Sequence, residues 1–408
     1  MKKKIISILG LGYIGLPTAS LLAHKGYNIL GIDLRENVVD TINKGHIHIS
    51  EPGLSNFVSS AVKSGRLKAF TKVQKSDIYI ICVPTPIIEK NKIPLPNIDY
   101  VLQAINSIAP LLKKGDIVII ESTVPVGTTK KVQERLIEMD VQTNEIFIAY
   151  CPERVLPGNI MKELVDNDRV VGGLTLEATK LVSSFYKTFV SGKVLETDSK
   201  TAEMCKLIEN SYRDVNIAFA NELSMICEKE GIDVWKLITL ANQHPRVNIL
   251  QPSTGVGGHC IAMDPWFVVA RDNLNTRLIR TAREVNNKKV KWVIEKINHT
   301  IAQFNAKKNT KPKIACLGLT FKPDTDDLRA SPALKVVETL SNQGYEVMVV
   351  EPNIDNHETL NLTNISNAIK KADVIAVLVK HKEFMNLKVK KLLKEFGAID
   401  FCGSLKDL

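Results

Sequence analysis

Several features that would mark other classes of protein are missing from this sequence. No stretch approaches the ~20 apolar residues of a membrane span. No Cys-x-x-Cys pair occurs among the seven cysteines, which stand at 82, 151, 205, 227, 260, 316 and 402. An odd number of scattered cysteines argues against a disulfide framework or a zinc site. It points instead to a reducing compartment, expected to be the cytoplasm, and to no bound metal. Aromatics are only 6% of the chain and do not interleave with basic residues, and no zinc-finger or helix-turn-helix spacing is present. The net charge of +10 is therefore not read as nucleic-acid binding. The basic excess is spread over Lys2 to Lys4, Lys307, Lys308, Lys311, Lys313 and the stretch Lys388 to Lys394, as suits an enzyme that gathers anionic phosphates. Met1-Lys-Lys-Lys followed by Ile5 to Leu11 has the outline of a signal peptide. The apolar run is short, however, is broken by Gly10, Gly12 and Gly15, and has no small-residue cleavage site.

What remains is an ordinary globular balance, 44% hydrophobic over 408 residues, enough for two or three domains at roughly 150 residues each. Apolar runs alternate with helical patterns at the start: strands over 4–9, 27–32, 78–83, 117–122 and 146–150, and helices near 17–25 and 100–112. That order implies an α/β fold, a parallel sheet with helices on both faces. A long helix is expected from Ser199 to Glu230, stopped by Gly231, and is expected to be well buried. Another helix spans about 275–304. Residues 305–313 are polar, without periodicity, and read as a linker. A second α/β unit begins at Ile314, with strands over 314–319, 346–351, 373–379 and 398–401 and a helix over 332–342. The expected domains are residues 1–197, 198–304 and 313–408.

Gly10-Leu-Gly12-Tyr13-Ile14-Gly15 follows a strand and opens a helix, and Asp33 closes the next strand. Gly-x-Gly-x-x-Gly in this setting is a dinucleotide fingerprint. Gly10 permits the tight turn, Gly12 lets backbone approach a pyrophosphate, and Gly15 lets helix and strand pack. Asp33 would accept from ribose hydroxyls and repel a 2′-phosphate, so NAD is expected over NADP, a preference that Arg35 weakens slightly. Thr85 and Thr123 follow apolar strands, where open α/β sheets bind ligands.

Gly255-Val-Gly257-Gly-His-Cys260-Ile-Ala-Met-Asp264 carries the clearest chemical signal. Glycines before a cysteine make a flexible loop able to press against a ligand, and a polar setting favours a reactive thiol over a structural one. On the long helix, Glu203, Lys206, Asn210 and Arg213 share one stripe.

Six ordered blocks together resemble the UDP-glucose/GDP-mannose dehydrogenase family. They are Gly10 to Gly15, Ser122 to Thr128, Cys151-Pro-Glu153-Arg154, Glu203 to Asn210, Gly257 to Asp264, and Gly318 to Ser331. The resemblance covers essentially the whole chain. It implies two Rossmann-like domains bridged by a long helix, the first binding NAD and the last a UDP-sugar, in a dimer or larger assembly. It implies oxidation of a C6 alcohol to a carboxylate by two hydride transfers, with Cys260 as covalent nucleophile. It assigns Lys206 and Asn210 to the developing oxyanion, Asp264 to orienting Lys206 or moving a proton, and Glu153 and Thr123 to the hydrolytic water. Tyr13, Ile14, Thr85, Thr123 and Arg329 join the NAD site. Arg154, Val155, Lys206, Asn210, Arg213, His244, Arg246, Gly257 and Lys322 join the substrate site. Within the family, the blocks at Cys151 to Gly158 and Gly258 to Trp266 are most similar to members that oxidise UDP-N-acetyl-D-mannosamine. UDP-N-acetylglucosamine and UDP-glucose are the alternatives. A one-hydride NAD reductase would need no cysteine, and an NAD-sensing regulator would have no use for the Gly-Gly-His-Cys loop.

Overall fold

The computed structural model describes residues 4–88, 93–308 and 310–406. By packing, the chain divides into two compact units. The first is Met1–Glu209 with Trp266–Asp272, and the second is Asn210–Pro265 with Asn273–Leu408.

In the first unit, β1 (Ile5–Leu9), α1 (Gly15–His24) and β2 (Asn28–Ile32) form the opening β-α-β. Then come α2 (Glu36–Asn43), α3 (Leu54–Lys63), β3 (Leu67–Phe70), β4 (Ile78–Ile81) and a short hairpin of β5 (Ile87–Ile88) and β6 (Leu95–Pro96). These are followed by α4 (Asp99–Ile108), β7 (Ile117–Ile120), α5 (Thr128–Glu138), β8 (Phe147–Tyr150), α6 (Ile160–Asp166), β9 (Arg169–Gly173), α7 (Leu176–Tyr186) and β10 (Val194–Asp198). The strands form one eight-stranded sheet, ordered β10-β9-β8-β7-β4-β1-β2-β3. Central strands such as Ile78-Tyr-Ile-Ile81 are buried along their whole length, as a sheet covered on both faces requires. One junction departs from the expected parallel sheet. β8 and β9 pair antiparallel, Ala149 opposite Gly173, so β9 and β10 run against the rest.

α8 (Ser199–Lys229) begins in the first unit and continues into the second. It ends as expected at Gly231, which takes a left-handed φ of +70°. It is not buried all round, because Tyr212 (68% exposed), Phe219 (53%) and Ile226 (51%) form a solvent-facing apolar stripe. α9 (Val234–Ala241), α10 (Asp264–Arg271) and α11 (Arg277–Lys308) follow. The backbone of α11 continues to Lys308, which corrects the linker reading of 305–313. Alanine and lysine are good helix formers, so propensity carries the helix past its last apolar turn. The side chains of Lys307 and Lys308, and residues Lys2, Lys3 and Asn309, lie outside the described residues.

The second unit's sheet comprises β11 (Lys313–Leu317), β12 (Glu346–Val350), β13 (Val374–Val377) and β14 (Ile399–Asp400). Its order is β12-β11-β13-β14, with every pairing parallel. α12 (Pro332–Asn342), α13 (Ile365–Lys371) and α14 (Leu387–Phe396) connect the strands. Val293, Ile297 and Ile301 of α11 share one core with Val336, Val337 and Leu340 of α12 and the buried strands. No helix among the described residues is long and apolar enough to cross a membrane.

Candidate active site

The turn after β1 has the shape a dinucleotide needs. Gly10 has φ +91°, and a Cβ there would sit 2.6 Å from the Cys82 carbonyl oxygen. A Cβ on Gly15 would overlap the Gly10 carbonyl oxygen. A Cβ on Gly12 would meet nothing within 4 Å. Gly10 and Gly15 are therefore fixed by packing, while Gly12 keeps an open face beside the start of α1. No side chain caps that helix and its first turn holds no acid, so its N-terminus suits an anion.

Asp33 is nearly buried and accepts from the Leu11 amide at 3.2 Å. Arg35 grips both its oxygens, with Nε to Oδ1 at 3.0 Å and Nη2 to Oδ2 at 3.1 Å. Burial alone would raise the Asp33 carboxyl, but the Arg35 side chain and the Arg35 and Leu11 amides hold it below the ordinary carboxylate range. Thr85 and Thr123 lie half-buried beyond the carboxyl ends of β4, which pairs with β1, and of β7, which pairs with β4. The carboxyl edge of three adjacent strands thus carries Gly10, Thr85 and Thr123. Tyr13 and Ile14 are half-buried in the glycine turn.

Glu153 follows β8 and is buried. One of its oxygens accepts from the Arg154 amide at 2.7 Å and the other pairs with Arg169 Nη1 at 2.5 Å. Arg169 is itself buried, lies over the Tyr186 ring, and donates to the Leu164 carbonyl. Tyr186 in turn donates to Glu121 at 2.5 Å. Lys206 donates from Nζ to the backbone oxygen of Glu153 at 2.7 Å. Arg154 is held by Glu209, its nearest contact 2.7 Å, and Val155 beside it is half-buried. Glu203, read from the sequence as one more polar residue of the α8 stripe, accepts from the Gly127 and Thr129 amides at 2.6 and 2.7 Å and so caps α5.

In the second unit, Cys260 is exposed, whereas Cys151, Cys227, Cys316 and Cys402 are buried and Cys82 and Cys205 are partly so. Burial pushes the Cys151 and Cys316 thiols up to about 12, so they stay protonated. The Cys260 carbonyl accepts from the Met263 and Asp264 amides at 3.0 and 2.9 Å, which places the cysteine on the turn that opens α10. Asp264 is buried and accepts from Asn210 Nδ2 at 2.5 Å.

The glycines before Cys260 are packed against protein. A Cβ on Gly257 would come within 2.5 Å of the Ala330 carbonyl oxygen. On Gly258, where φ is +81°, it would strike the Phe321 ring. The Gly258 amide donates to the Arg329 carbonyl at 3.0 Å. The loop is flush against the Phe321–Ser331 segment, and glycine is required because protein backbone lies there. That segment also carries Lys322, half-buried with Nζ near the Phe321 ring, and Arg329, paired with Asp327 at 2.6 Å. Arg213, His244 and Arg246 are exposed. The His244 ring accepts from the Arg246 amide at 3.3 Å, closing a tight turn after α9.

Sequence reasoning did not single out Arg169, Glu121, Asp214, Arg283 or His381. A charged residue bordering or interrupting an apolar run, as in Ile117-Val-Ile-Ile-Glu121, was the available signal.

Three family models match the chain in order. The NAD binding domain of the UDP-glucose/GDP-mannose dehydrogenase family matches residues 4–190, the central domain 200–288, and the UDP binding domain 315–406. The chain belongs to the UDP-glucose/GDP-mannose dehydrogenase family. It is an NAD-dependent oxidoreductase of that family, with a C-terminal UDP binding domain. It is 50% identical over 405 residues to a UDP-N-acetyl-D-mannosamine dehydrogenase of Campylobacter jejuni, covering 95% of this chain and 98% of the relative. It is 46% identical to an NDP-N-acetyl-D-galactosaminuronic acid dehydrogenase of Ralstonia nicotianae, covering 95% and 93%. Among solved structures, a UDP-D-ManNAc dehydrogenase of Pyrococcus horikoshii superposes with a TM-score of 0.89 at 37% identity, covering 99% and 96%. The open face of Gly12, the uncapped start of α1 and the Asp33 carboxylate fit the family's NAD: pyrophosphate against the helix, ribose against the acid.

Proposed function

We propose that the protein oxidises the C6 alcohol of UDP-N-acetyl-D-mannosamine to the uronate, in the cytoplasm, for a surface polysaccharide. Residues 1–197 would serve NAD, 313–408 the UDP group, and 198–304 the helical middle. The observation that carries the reading is the exposed Cys260 on its packed glycine turn, in a chain 50% identical over 95% of its length to a UDP-N-acetyl-D-mannosamine dehydrogenase. Both curated relatives described above are named for N-acetylated sugars, which favours an acetamido substrate over UDP-glucose.

NAD, when bound, accepts hydride from C6. The Cys260 thiolate adds to the resulting aldehyde to give a thiohemiacetal. Loss of a second hydride, for which a second NAD would be the acceptor, leaves a thioester, and water cleaves it to the acid and restores the thiol. Lys206, steadied by the Glu153 carbonyl, supplies positive charge for the developing alkoxide. Asn210, held by Asp264, donates to the same oxygen. Thr123 and Glu153 position the water. Because the Glu153 carboxylate is paired with Arg169, its part is to hold rather than to deprotonate. Arg154, Val155, Arg213, His244, Arg246, Gly257 and Lys322 take the sugar nucleotide, and Arg329 the NAD side.

The deciding experiment counts NADH per sugar nucleotide with UDP-N-acetylmannosamine, UDP-N-acetylglucosamine and UDP-glucose. Two NADH and fastest turnover on the first are expected. Cys260→Ser should abolish uronate while NAD still binds, and uronate from that variant would remove Cys260 from the chemistry. We also propose a homodimer that covers the Tyr212–Phe219–Ile226 stripe. Light scattering should give twice the 45.3 kDa chain mass, and a monomer would refute it.

A further inference from the structure

Buried side chains join the two ends of the segment that carries Cys260. At its start, the Ser253 amide donates to Asn221 Oδ1 at 2.8 Å. Asn221 Nδ2 donates to Asn286 Oδ1 at 2.9 Å. Asn286 Nδ2 donates to Asp214, to Oδ1 at 2.8 Å and to its carbonyl at 3.1 Å. Asp214 Oδ1 pairs with Arg283 Nη1 at 3.2 Å. The same guanidinium nitrogen reaches the Ile261 carbonyl at 3.4 Å, and Nη2 donates to Asn287 at 3.2 Å. The path therefore leaves Ser253, crosses α8 and α11, and returns one residue after Cys260. A backbone amide can only donate, so Ser253 fixes the orientation of Asn221, which fixes Asn286, which faces Asp214 with its amide hydrogens.

Asn221, Asn286, Asp214 and Arg283 are all at most 1% exposed. A buried ion pair seldom adds stability over apolar residues of the same size, because desolvation offsets the attraction. Burial raises the Asp214 carboxyl to about 6 even with Arg283 opposing it. Asp214 Oδ2 and Arg283 Nε are buried without a hydrogen-bond partner, a further cost. What the frame does supply is a fixed place for a glycine-rich segment that would otherwise have many conformations. The far side of the segment is tied independently, by Thr254 Oγ1 to the Leu378 carbonyl at 2.6 Å.

We propose that Asp214 and Arg283, with Asn221 and Asn286, are positioning residues that aim Cys260 by holding Ser253 and Ile261. This rests on Cys260 being the nucleophile. An error of about 1 Å in aim can cost on the order of a hundredfold in rate.

The test uses the full-length enzyme with UDP-N-acetylmannosamine and NAD. In the double variant Asp214→Leu/Arg283→Met, apolar residues replace the pair. The expected result is a Tm within a few degrees of wild type, a KM for NAD within twofold, and kcat lower by at least tenfold. Free aldehyde should escape the misplaced thiol, so NADH per uronate rises above two. Wild-type kcat and a ratio of two at wild-type Tm would overturn the proposal. Should that protein not fold, Asn221→Ala leaves the ion pair whole. A fivefold or larger loss of kcat with unchanged KM for NAD supports the frame, and unchanged kcat overturns it. Cys260→Ser run alongside separates the two readings. Uronate from it removes the nucleophile itself, whereas an inactive Cys260→Ser beside a fully active double variant removes only the frame.

Discussion

Gly10 and Gly318 occupy the same place in two different sheets. Each follows the first strand of its sheet, with φ +91° and +99°. Each donates its amide to the neighbouring strand's last residue, Gly10 to the Ile32 carbonyl and Gly318 to the Val350 carbonyl, both at 2.8 Å. An acid comes next in both strands. The Leu11 amide reaches Asp33 at 3.2 Å, and the Leu319 amide reaches Glu351 at 2.7 Å. Beyond that point the two turns part. In the first unit the helix begins at Gly15, and the turn stays short and open at Gly12. In the second the helix waits until Pro332, and the intervening loop carries Lys322 and Arg329. Asp33 is gripped by an exposed arginine, whose side chain is 59% accessible. Glu351 is gripped from within by the Thr320 amide at 3.2 Å and by the fully buried His381 at 3.1 Å. The Asp324 amide donates to the other ring nitrogen of His381 at 3.0 Å, so Nε2 carries the proton toward Glu351. One framework leaves its acid held by an exposed side chain, and the other commits its acid to shaping a loop.

The largest effect expected on this comparison comes from Gly15→Ala. Its Cβ would overlap the Gly10 carbonyl oxygen, a backbone atom that cannot move without opening the turn. Overpacking of this kind costs about 1–3 kcal/mol or more, so the variant should lose several degrees of Tm and its NAD binding together. Gly12→Ala should keep the wild-type Tm without NAD, because the new methyl meets open space, yet bind NAD at least tenfold more weakly. Equal Tm losses in the two would mean that Gly12 is a packing residue as well, and the open face would lose its meaning.

Glu351→Gln comes next. The carboxylate accepts from two loop amides, from His381 and from the Asn353 amide at 2.9 Å. Removing the charge and one acceptor should cost about 1–3 kcal/mol and raise the KM for the UDP-sugar while NAD binding holds. Burial pushes this carboxyl up, but the His381 bond and the Leu319 and Asn353 amides bring it below its ordinary value. A lowered folded pKa means stability that is full above the unfolded value, about 4.3, and is lost as pH falls through the folded one. Thermal melts between pH 6 and pH 3 should therefore fall less steeply for Glu351→Gln than for wild type. Parallel curves would show that Glu351 does not carry its charge in the way this site requires.

Legibility in the sequence followed the distance between partners. The glycine turn and Asp33 could be read because each contact lies within one β-α-β unit. Buried strands such as Ile117-Val-Ile-Ile120 announced themselves by composition. β10, Val194-Leu-Glu-Thr-Asp198, is mostly exposed and has no apolar run to find. The antiparallel β8–β9 junction follows a long connection whose direction no local pattern dictates. Cys260 and Asp264 stood out on their glycine loop and Asn210 on the α8 stripe, and the resemblance added their roles, but the reason for the glycines was not legible. It lies in Phe321 and Ala330, some sixty or more residues away in sequence. The frame behind Cys260 was invisible for the same reason: Asn221 and Asn286 are 65 residues apart, and Asn286 and Asp214 are 72. Asparagines within amphipathic helices look like solvated faces until the facing helix is known.

The smallest expected effect belongs to Arg35, and it sharpens the contrast between the two acids. Arg35 is mostly exposed, and a surface pair of this kind contributes about 0–1 kcal/mol, so Arg35→Ala should leave Tm nearly unchanged. Its consequence is for the cofactor. A bare carboxylate at the end of β2 repels a 2′-phosphate, and Arg35, bonded to both Asp33 oxygens, cancels much of that repulsion. Without Arg35 the Asp33 carboxyl rises toward its ordinary value but remains ionised at neutral pH. The carboxylate then faces the ribose unshielded. NAD affinity should change by less than threefold, while the residual rate with NADP, relative to NAD, should fall several-fold. The effect should shrink as salt is raised, since screening weakens the exposed guanidinium first. If the NADP-to-NAD ratio is the same in Arg35→Ala as in wild type, then Asp33 alone sets cofactor choice. Its arginine would then be a surface partner with no part in the site, and the N-terminal acid would be as free as its motif implies.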